Sequence, residues 1–197
     1  MDFFVNGEKL DITLQGEKTI GDVLRSFEVS CEQNKLVTVS ISVDGKNISA
    51  DQFDEVFKNE LKDNTKIEVN VISEEAIKES FRMSAKEITD VIELLKNVPV
   101  EMQSGKDVHA KQTIIKLSDV MNAFCNTITW SSLFPETFGS IKVGENSLSE
   151  FLADLSPILK DFSDALENSD SVLIGDLAEY EICPRLESIA QTLAGIA

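Results

Sequence analysis

The spacing of apolar residues changes near residue 73, and this change constrains the fold more than any other feature of the chain. Before it, apolar and polar residues alternate, as Val37, Val39 and Ile41 show, which is typical of half-buried β-strands. After it, apolar residues recur at intervals of three and four, which is typical of packed α-helices. The sequence therefore predicts an α+β protein with two domains, residues 1–72 and residues 73–197.

The first domain opens with a predicted β-hairpin. Asn6-Gly7 is the strongest short hairpin signal in the chain, because both central residues of a type I′ turn adopt positive φ. Leu10, Ile12 and Leu14 then alternate with polar residues. This alternation predicts a half-buried strand that continues to Leu14.

A helix, a second hairpin and a closing strand follow. Thr19 with Asp22 three residues later is typical of a helix start, and apolar residues up to position 27 form one face of that helix. Asp44-Gly45 predicts a second hairpin turn. A short helix is expected over residues 51–57, and apolar residues alternate again over residues 66–72, which predicts a strand.

This order of elements resembles the ubiquitin-like β-grasp fold. The resemblance is carried by the Asn6-Gly7 turn, the helix over residues 19–27 and the closing strand over residues 66–72. It covers about a third of the chain and rests on element order and length. It implies that the last strand pairs in parallel beside the first and that the helix covers one face of the sheet.

The same resemblance bears on activity. Ubiquitin-like modifiers and sulfur carriers end in a free Gly-Gly tail whose carboxylate is activated. Here the closing strand continues directly into Ser73, and the chain ends at residues 194–197 without that tail. We therefore expect neither conjugation nor sulfur transfer from this chain, and fold alone does not select another function.

Four apolar stripes follow residue 73, and they predict an antiparallel (up-down-up-down) four-helix bundle. Ser147 and Glu150 form a predicted capping box before the third stripe, and Pro99 is expected to end the first helix. The third stripe is a heptad pattern, which predicts a buried seam. Its residues are Leu148, Leu152, Leu155, Leu159, Phe162 and Leu166.

The charge balance limits the classes of partner. The chain of 197 residues has 35 acidic and 18 basic residues, a formal net charge of −17. Nucleic acid and anionic membrane surfaces repel such a protein. A basic protein partner and simple solubility both explain the charge. The sequence has no signal peptide and no long apolar run, so we expect no membrane association and a cytoplasmic location.

The sequence predicts no catalytic residue, no cofactor and no metal site. His109 is the only histidine, and it lies in a polar region away from any nucleophile motif. The cysteines, Cys31, Cys125 and Cys183, are far apart, which favours buried free thiols. An acidic ridge on the third bundle helix is either a solvated face or a weak cation site. Its residues are Asp161, Asp164, Glu167 and Asp170.

Two prolines fall inside predicted helices. Pro157 and Pro184 each remove a backbone hydrogen bond and bend the helix axis. The paired bends open a groove lined by Phe151, Leu155 and Tyr180, or they serve packing alone. A new helix that starts at Pro184 satisfies the same sequence.

Three aromatic residues cluster near the end of the second bundle helix: Trp130, Phe134 and Phe138. They either cap the core at that end of the bundle or anchor a protein partner, since Trp and Phe are frequent at binding hot spots.

Two functional hypotheses follow. The first is a non-enzymatic cytoplasmic protein–protein interaction module, such as an adaptor, assembly factor or chaperone, with a possible homo-oligomer through the helical domain. The second is a bundle that binds a small ligand or lipid in the groove near Pro157, Tyr180 and Pro184. An enzyme is disfavoured, because acid–base chemistry would rest on carboxylates alone.

Overall fold

The computed structural model describes residues 1–104 and 107–196. Within these residues the chain is α+β and divides into two compact units, Met1–Ala76 and Ile77–Ala197. The first unit contains a mixed five-stranded sheet, and the second is mainly helical. No helix of the described part is both long enough and apolar enough to cross a lipid bilayer.

The sheet of the first unit is built from five strands. They are β1 (Asp2–Val5), β2 (Glu8–Leu10), β3 (Leu36–Val43), β4 (Lys46–Asn47) and β5 (Lys66–Ser73). Their order across the sheet is β2-β1-β5-β3-β4. The central pair, β1 and β5, is parallel, with Phe3 beside Ile67. The other pairs are antiparallel, so β2 and β4 form the two edges.

The Asn6-Gly7 turn joins β1 to β2, as the sequence predicts. Its φ angles are 50° at Asn6 and 84° at Gly7, in the left-handed region that this turn requires. The Asn6 side chain also binds β5: its Nδ2 donates to Val71 O at 3.2 Å, and its Oδ1 accepts from Val71 N–H at 2.9 Å. These two bonds attach the turn to a strand that is remote in sequence.

Helix α1 (Ile20–Gln33) packs its apolar side on the sheet. Its start is the predicted capping box: Asp22 N–H donates to Thr19 Oγ1 at 3.1 Å, and Thr19 N–H donates to Asp22 Oδ2 at 3.0 Å. The buried core between helix and sheet consists of Phe3, Ile20, Val23, Leu24, Ile41, Val43, Ile67 and Val69.

A 3-10 turn (Ala50–Gln52) and helix α2 (Phe53–Val56) occupy the predicted short helix. Phe57, directly after α2, contacts the start of α1, where Gly21 N–H donates to Phe57 O at 3.1 Å. A Cβ at Gly21 would lie 2.8 Å from that oxygen. Only glycine fits this approach without a backbone shift.

The strand predicted over residues 10–14 is shorter than expected. β2 ends at Leu10, and Ile12 and Leu14 lie outside any strand. In the observed register Leu10 pairs with Phe3, and no pair follows beyond it on β2. The side chains are correspondingly open: Leu10 is 45% exposed, Ile12 36% and Leu14 42%.

The second unit consists of helices of very different length. They are α3 (Glu74–Leu95), α4 (Val98–Gln103), α5 (Asp107–Ser131), α6 (Pro135–Phe138), α7 (Leu148–Glu167), α8 (Ser171–Asp176) and α9 (Cys183–Ala194). A π-helical turn (Leu177–Ile182) lies between α8 and α9. Large side chains that are almost completely buried in this unit include Ile77, Phe81, Ile88, Leu95, Phe124, Leu155, Phe162, Ile174, Ile182, Leu186, Ile189 and Leu193.

Two local predictions for the second unit are corrected. Pro99 does not end a helix but lies in the first turn of α4, where its missing N–H removes no helical hydrogen bond. The stretch before α7 is not only a loop, since β6 (Lys142–Val143) and β7 (Asn146–Ser147) form a small hairpin. These two-residue strands lie beyond the change of spacing, where the sequence predicted helices alone.

The buried side of α7 is rotated from the predicted seam. Leu148, Leu155 and Phe162 of that seam are buried, and Phe151 and Ala165 join them. The alternate seam residues, Leu152, Leu159 and Leu166, are only partly buried. One edge of the predicted seam is therefore left open.

Candidate functional site

A groove of about 590 Å³ lies between α5 and α7, along the open edge of that seam. Each helix contributes a segment of about three turns, residues 114–125 of α5 and residues 152–163 of α7. At 1.5 Å per residue, each wall is about 17 Å long. The lining residues are Ile114, Leu117, Ser118, Met121, Asn122, Cys125, Leu152, Ala153, Leu155, Ser156, Leu159, Phe162 and Ser163.

The groove has an apolar floor and a polar, uncharged rim. Four floor residues are buried: Leu117, Met121, Leu155 and Phe162. The partly buried floor residues are Ile114, Cys125, Leu152 and Leu159. The exposed rim residues are Ser118, Asn122, Ala153, Ser156 and Ser163. An apolar centre inside a polar rim is the usual anatomy of a protein interface.

Among residues 1–104 and 107–196, no charged residue lines this groove. The absence is informative because 27% of the chain is charged. Depletion of charge at the centre of a surface patch distinguishes interface cores from ordinary surface. The Cys125 thiol is the one titratable group of the lining, and burial raises its pKa, so it stays protonated at neutral pH.

The solvent-facing side of α5 extends the apolar surface beside the groove. Val108 is 66% exposed and Ile115 is 61% exposed. They are seven residues apart, so they lie on the same side of the helix. Together with the floor of the groove they make the apolar area on this side of α5 larger than that of the groove alone.

The candidate residues near the prolines differ in burial and in their place relative to the α5–α7 groove. Leu155 lines the α5–α7 groove, but Phe151 is a buried core residue outside it. Pro157 and Pro184 are exposed, and Tyr180 is 64% exposed. The α5–α7 groove therefore takes only Leu155 from this predicted set.

The backbone before Pro184 adopts the π-helical turn in place of a sharp bend. Cys183 N–H donates to Ala178 O, five residues back, and Pro184 then lies in the first turn of α9. Of the alternatives that the sequence left open, this is the helix that starts again at Pro184. The changed hydrogen-bond spacing absorbs the missing proline N–H within a continuous helical segment.

A side-chain network joins this turn to α7. Arg185 Nε donates to Asp154 Oδ2 at 2.8 Å, and its Nη1 donates to Glu181 Oε2 at 2.7 Å and to Glu181 O at 3.0 Å. The hydrogen bond that Arg185 donates to the Asp154 carboxylate is the main reason that the pKa of Arg185 is raised. The guanidinium thus links three helical segments.

The predicted aromatic cluster separates into a core residue and a surface residue. Phe138 is buried, and its ring lies 5.7 Å from that of Phe81 and 6.3 Å from that of Phe134. This geometry fits the core-cap alternative for Phe138. Trp130 is largely exposed and is not part of that ring cluster.

The acidic ridge has no arrangement that holds a cation. Asp161, Asp164 and Asp170 border a shallow depression at one end of α7. Across residues 1–104 and 107–196, no three His, Cys, Asp or Glu side chains are close enough to ligate a metal ion together. His109 is exposed, and its Nδ1 lies 3.7 Å from Glu101 Oε1.

Sequence reasoning did not find the α5–α7 groove. A signal was present, because no charged residue occurs between Asp119 and Glu136, a stretch that includes the second half of α5. Adjacent Ile114 and Ile115 also make α5 apolar on two sides. A helix that is apolar on more than one side contacts more than its own core.

Comparisons with known proteins match both parts of the chain. A family model described as "TP0873 N-terminal domain" matches residues 1–73, and one described as "Domain of unknown function (DUF8042)" matches residues 79–192. A protein of Treponema pallidum (strain Nichols), titled "Uncharacterized protein", is 26% identical over 190 residues, which cover 96% of this chain and 94% of that protein. No solved structure matches significantly.

Proposed function

The chain belongs to the family described as "Domain of unknown function (DUF8042)", and we propose that it is a non-enzymatic protein-binding module. The observation that carries this proposal is the α5–α7 groove, whose lining contains no charged side chain. Its occupant in this proposal is an amphipathic α-helix of a partner protein.

The dimensions of the groove support a helical occupant. Two helical walls about 17 Å long accept three turns of a third helix, which presents anchors at positions i, i+3, i+4 and i+7. The flexible Met121 and the partly buried Leu152 and Leu159 would surround those anchors. The exposed apolar residues Val108 and Ile115 widen the area that a docked helix covers.

The rim supports a polypeptide rather than a purely apolar occupant. Ser118, Asn122, Ser156 and Ser163 offer hydroxyl and amide groups on both sides of the floor. The polar flanks of an amphipathic helix can pair with these exposed groups, whereas a hydrocarbon chain offers them no hydrogen-bond partner and leaves them bonded to water. The net charge of −17 favours a partner with basic flanking residues.

The finer architecture is also a proposal. The parallel β1–β5 pair and α1 on one sheet face support a ubiquitin-like β-grasp scaffold for the first unit. Three long helices, α3, α5 and α7, and the continuous segment from α8 to α9 support an antiparallel four-helix bundle for the second unit. Two of the cysteines, Cys31 and Cys183, are buried free thiols, which supports a reducing, cytoplasmic location.

A second candidate function is the binding of a small apolar ligand or lipid. It is favoured by the groove volume, because about 590 Å³ lies within the ~300–1,000 Å³ range of ligand pockets. Native mass spectrometry after mild purification separates the two candidates. A retained small molecule that Ser156→Arg displaces supports ligand binding over the helix.

Site-specific photo-crosslinking tests the proposed function. A photoreactive residue placed at Ser156, on the rim, should crosslink to a partner protein in the producing cells. The same residue at Ser188, exposed on α9 outside the groove, is the matched control. A product from Ser156 alone, lost in the Leu152→Glu variant, supports the proposal. Equal products from both positions, or none from Ser156, contradict it.

A further inference from the structure

A second open surface lies on the first unit, where residues 10–14 leave the edge of the sheet. Leu10 pairs with Phe3 and therefore points to the face that α1 covers. Ile12 and Leu14 line the same groove as Leu10. The helix does not cover these three side chains fully, as their exposure shows.

The backbone of this segment is unpaired. β2 is an edge strand that pairs only with β1. Among the described residues, none forms a backbone hydrogen bond with residues 11–14. Free N–H and C=O groups at a sheet edge are a template for another strand.

A groove of about 230 Å³ separates this segment from α1. Phe3, Val23 and Phe27 contribute to its apolar side, and the Ser26 and Ser30 hydroxyls lie along the helix. A strand added at the edge would direct alternate side chains into this space. β-Branched aliphatic side chains favour the extended conformation that an added strand requires.

The charge around the groove is acidic. Glu17 lines it, and its carboxylate accepts hydrogen bonds from Gln15 N–H and the Ser26 hydroxyl. Glu8 and Asp11 are exposed in the adjoining segment, and Lys9, which lies between them in the sequence, is paired with Asp2 at 2.7 Å. A segment with basic residues at its ends is therefore electrostatically complementary.

We propose that residues 10–14 receive an extended segment of a partner protein as an added strand, with valine or isoleucine at alternate positions and lysine or arginine at its ends. The open backbone selects an extended chain, the groove selects the alternate apolar side chains, and the acidic surroundings select the basic ends. This surface is separate from the α5–α7 groove and does not depend on it.

Peptide titration of the full-length, 15N-labelled chain tests the proposal. The probe is a nine-residue peptide with alternating valine and threonine in the centre and two lysines at each end. We expect it to shift the amide signals of residues 10–14, Ser26 and Ser30 and to slow hydrogen exchange at residues 11–14. The same peptide with N-methylated central amides should bind at least tenfold more weakly, because methylation removes the strand hydrogen bonds.

Variants locate the binding surface. Ile12→Glu and Leu14→Glu place a charge in the groove at partly open positions and should each weaken binding at least tenfold while the rest of the amide spectrum is retained. Val29 lies on the exposed side of α1 outside the groove, so Val29→Glu should change the affinity for the peptide less than twofold. The proposal is overturned if the N-methylated peptide binds equally well, if the peptide shifts amide signals only outside residues 10–14, Ser26 and Ser30, or if no binding is seen up to about 1 mM peptide. It is also overturned if residues 11–14 are protected from hydrogen exchange without peptide in a way that depends on protein concentration, which would identify a second copy of the chain as the occupant.

Discussion

Leu155 and Leu159 lie one turn apart on α7, but the fold covers them to different extents. Leu155 is 1% exposed, whereas Leu159 is partly buried and lines the groove. Leu155→Ala should therefore destabilise the helical unit by about 2–5 kcal/mol, the usual range for a sealed core leucine. Leu159→Ala should cost less, about 1–2 kcal/mol, because part of the Leu159 side chain already contacts water.

Urea denaturation followed by far-UV circular dichroism measures both changes in the free energy of unfolding. The signal is mainly that of the helical unit, which contains most of the helix. Equal losses for the two variants would show that the groove is closed in solution.

The capping box of α7 predicts a pH dependence. Ser147 N–H donates to Glu150 Oε2 at 2.8 Å, and this backbone bond, followed by one from the Ser147 hydroxyl, lowers the pKa of Glu150 below its usual 4.5. A carboxyl with a lower pKa in the folded chain stabilises it above the unfolded pKa, and this stabilisation is lost as the pH falls through the folded pKa. Glu150→Gln should therefore flatten the decline in stability below pH 4.5.

Urea midpoints from pH 6 to pH 3 test this expectation. Glu145→Gln is the matched control, because Glu145 is exposed two residues before the cap. An identical pH profile for wild type and Glu150→Gln would contradict a role for the carboxylate in the cap.

Single residues show why part of the molecule is predictable. The caps at Thr19 and Ser147 and the Asn6-Gly7 turn involve groups a few residues apart, so the sequence determines them locally. The partial burial of Leu159 depends on the distance between α7 and α5. The spacing of apolar residues along α7 does not determine that distance. The heptad pattern therefore assigned Leu155 and Leu159 the same role, and the structure separates them.

At the scale of elements, Arg185 joins the π-helical turn and α9 to α7. Its guanidinium bonds both Asp154 and Glu181, but all three side chains are partly open to solvent. Arg185→Ala should therefore cost only about 1 kcal/mol, since screening weakens exposed ion pairs. Arg185→Lys should recover less than half of the loss, because an ammonium cannot make both bonds in the planar geometry of arginine.

Thermal unfolding of these variants, with Lys160→Ala as an exposed control on α7, measures the contribution. Full recovery by Arg185→Lys would show that net charge rather than the hydrogen-bond geometry connects the segments.

The elements also show where sequence reasoning fails. Pro184 indicated a disturbed helix, and the structure contains a π-helical turn directly before it, a form of disturbance that the sequence did not specify. A proline in the sequence shows that one backbone N–H is missing. How the backbone compensates for the lost hydrogen bond depends on tertiary packing. Similarly, the alternation of Leu10, Ile12 and Leu14 indicated a strand, but the observed pairing with β1 ends at Leu10, and alternation within one segment does not tell where its pairing stops.

At the scale of the whole molecule, the formal charge of −17 predicts a salt effect. Self-repulsion destabilises a compact chain, and the screening length falls from about 30 Å at 0.01 M salt to about 10 Å at 0.1 M. Raising NaCl over this range should therefore increase the unfolding temperature. Calorimetry in NaCl and KCl, which should agree, measures the effect, and a decrease would show that attractive ion pairs outweigh the repulsion.

The change of apolar spacing near residue 73 predicted the α+β class of the molecule, which the structure has. That prediction succeeded because period two and period three-and-a-half each require a different backbone. The binding surfaces were harder to predict. A groove forms where packed elements leave a space between them. The sequence of one segment does not contain the positions of the elements around it.

The affinity of the groove for a helical segment tests the central claim most directly. The partner segment crosslinked at Ser156 is synthesised as a peptide and titrated calorimetrically into the full chain. We predict that it binds as a helix, that Leu152→Glu and Ser156→Arg weaken binding at least tenfold, and that Ser188→Arg changes it less than twofold. Equal affinity for all four proteins, or a bound peptide without helical structure, would contradict the account.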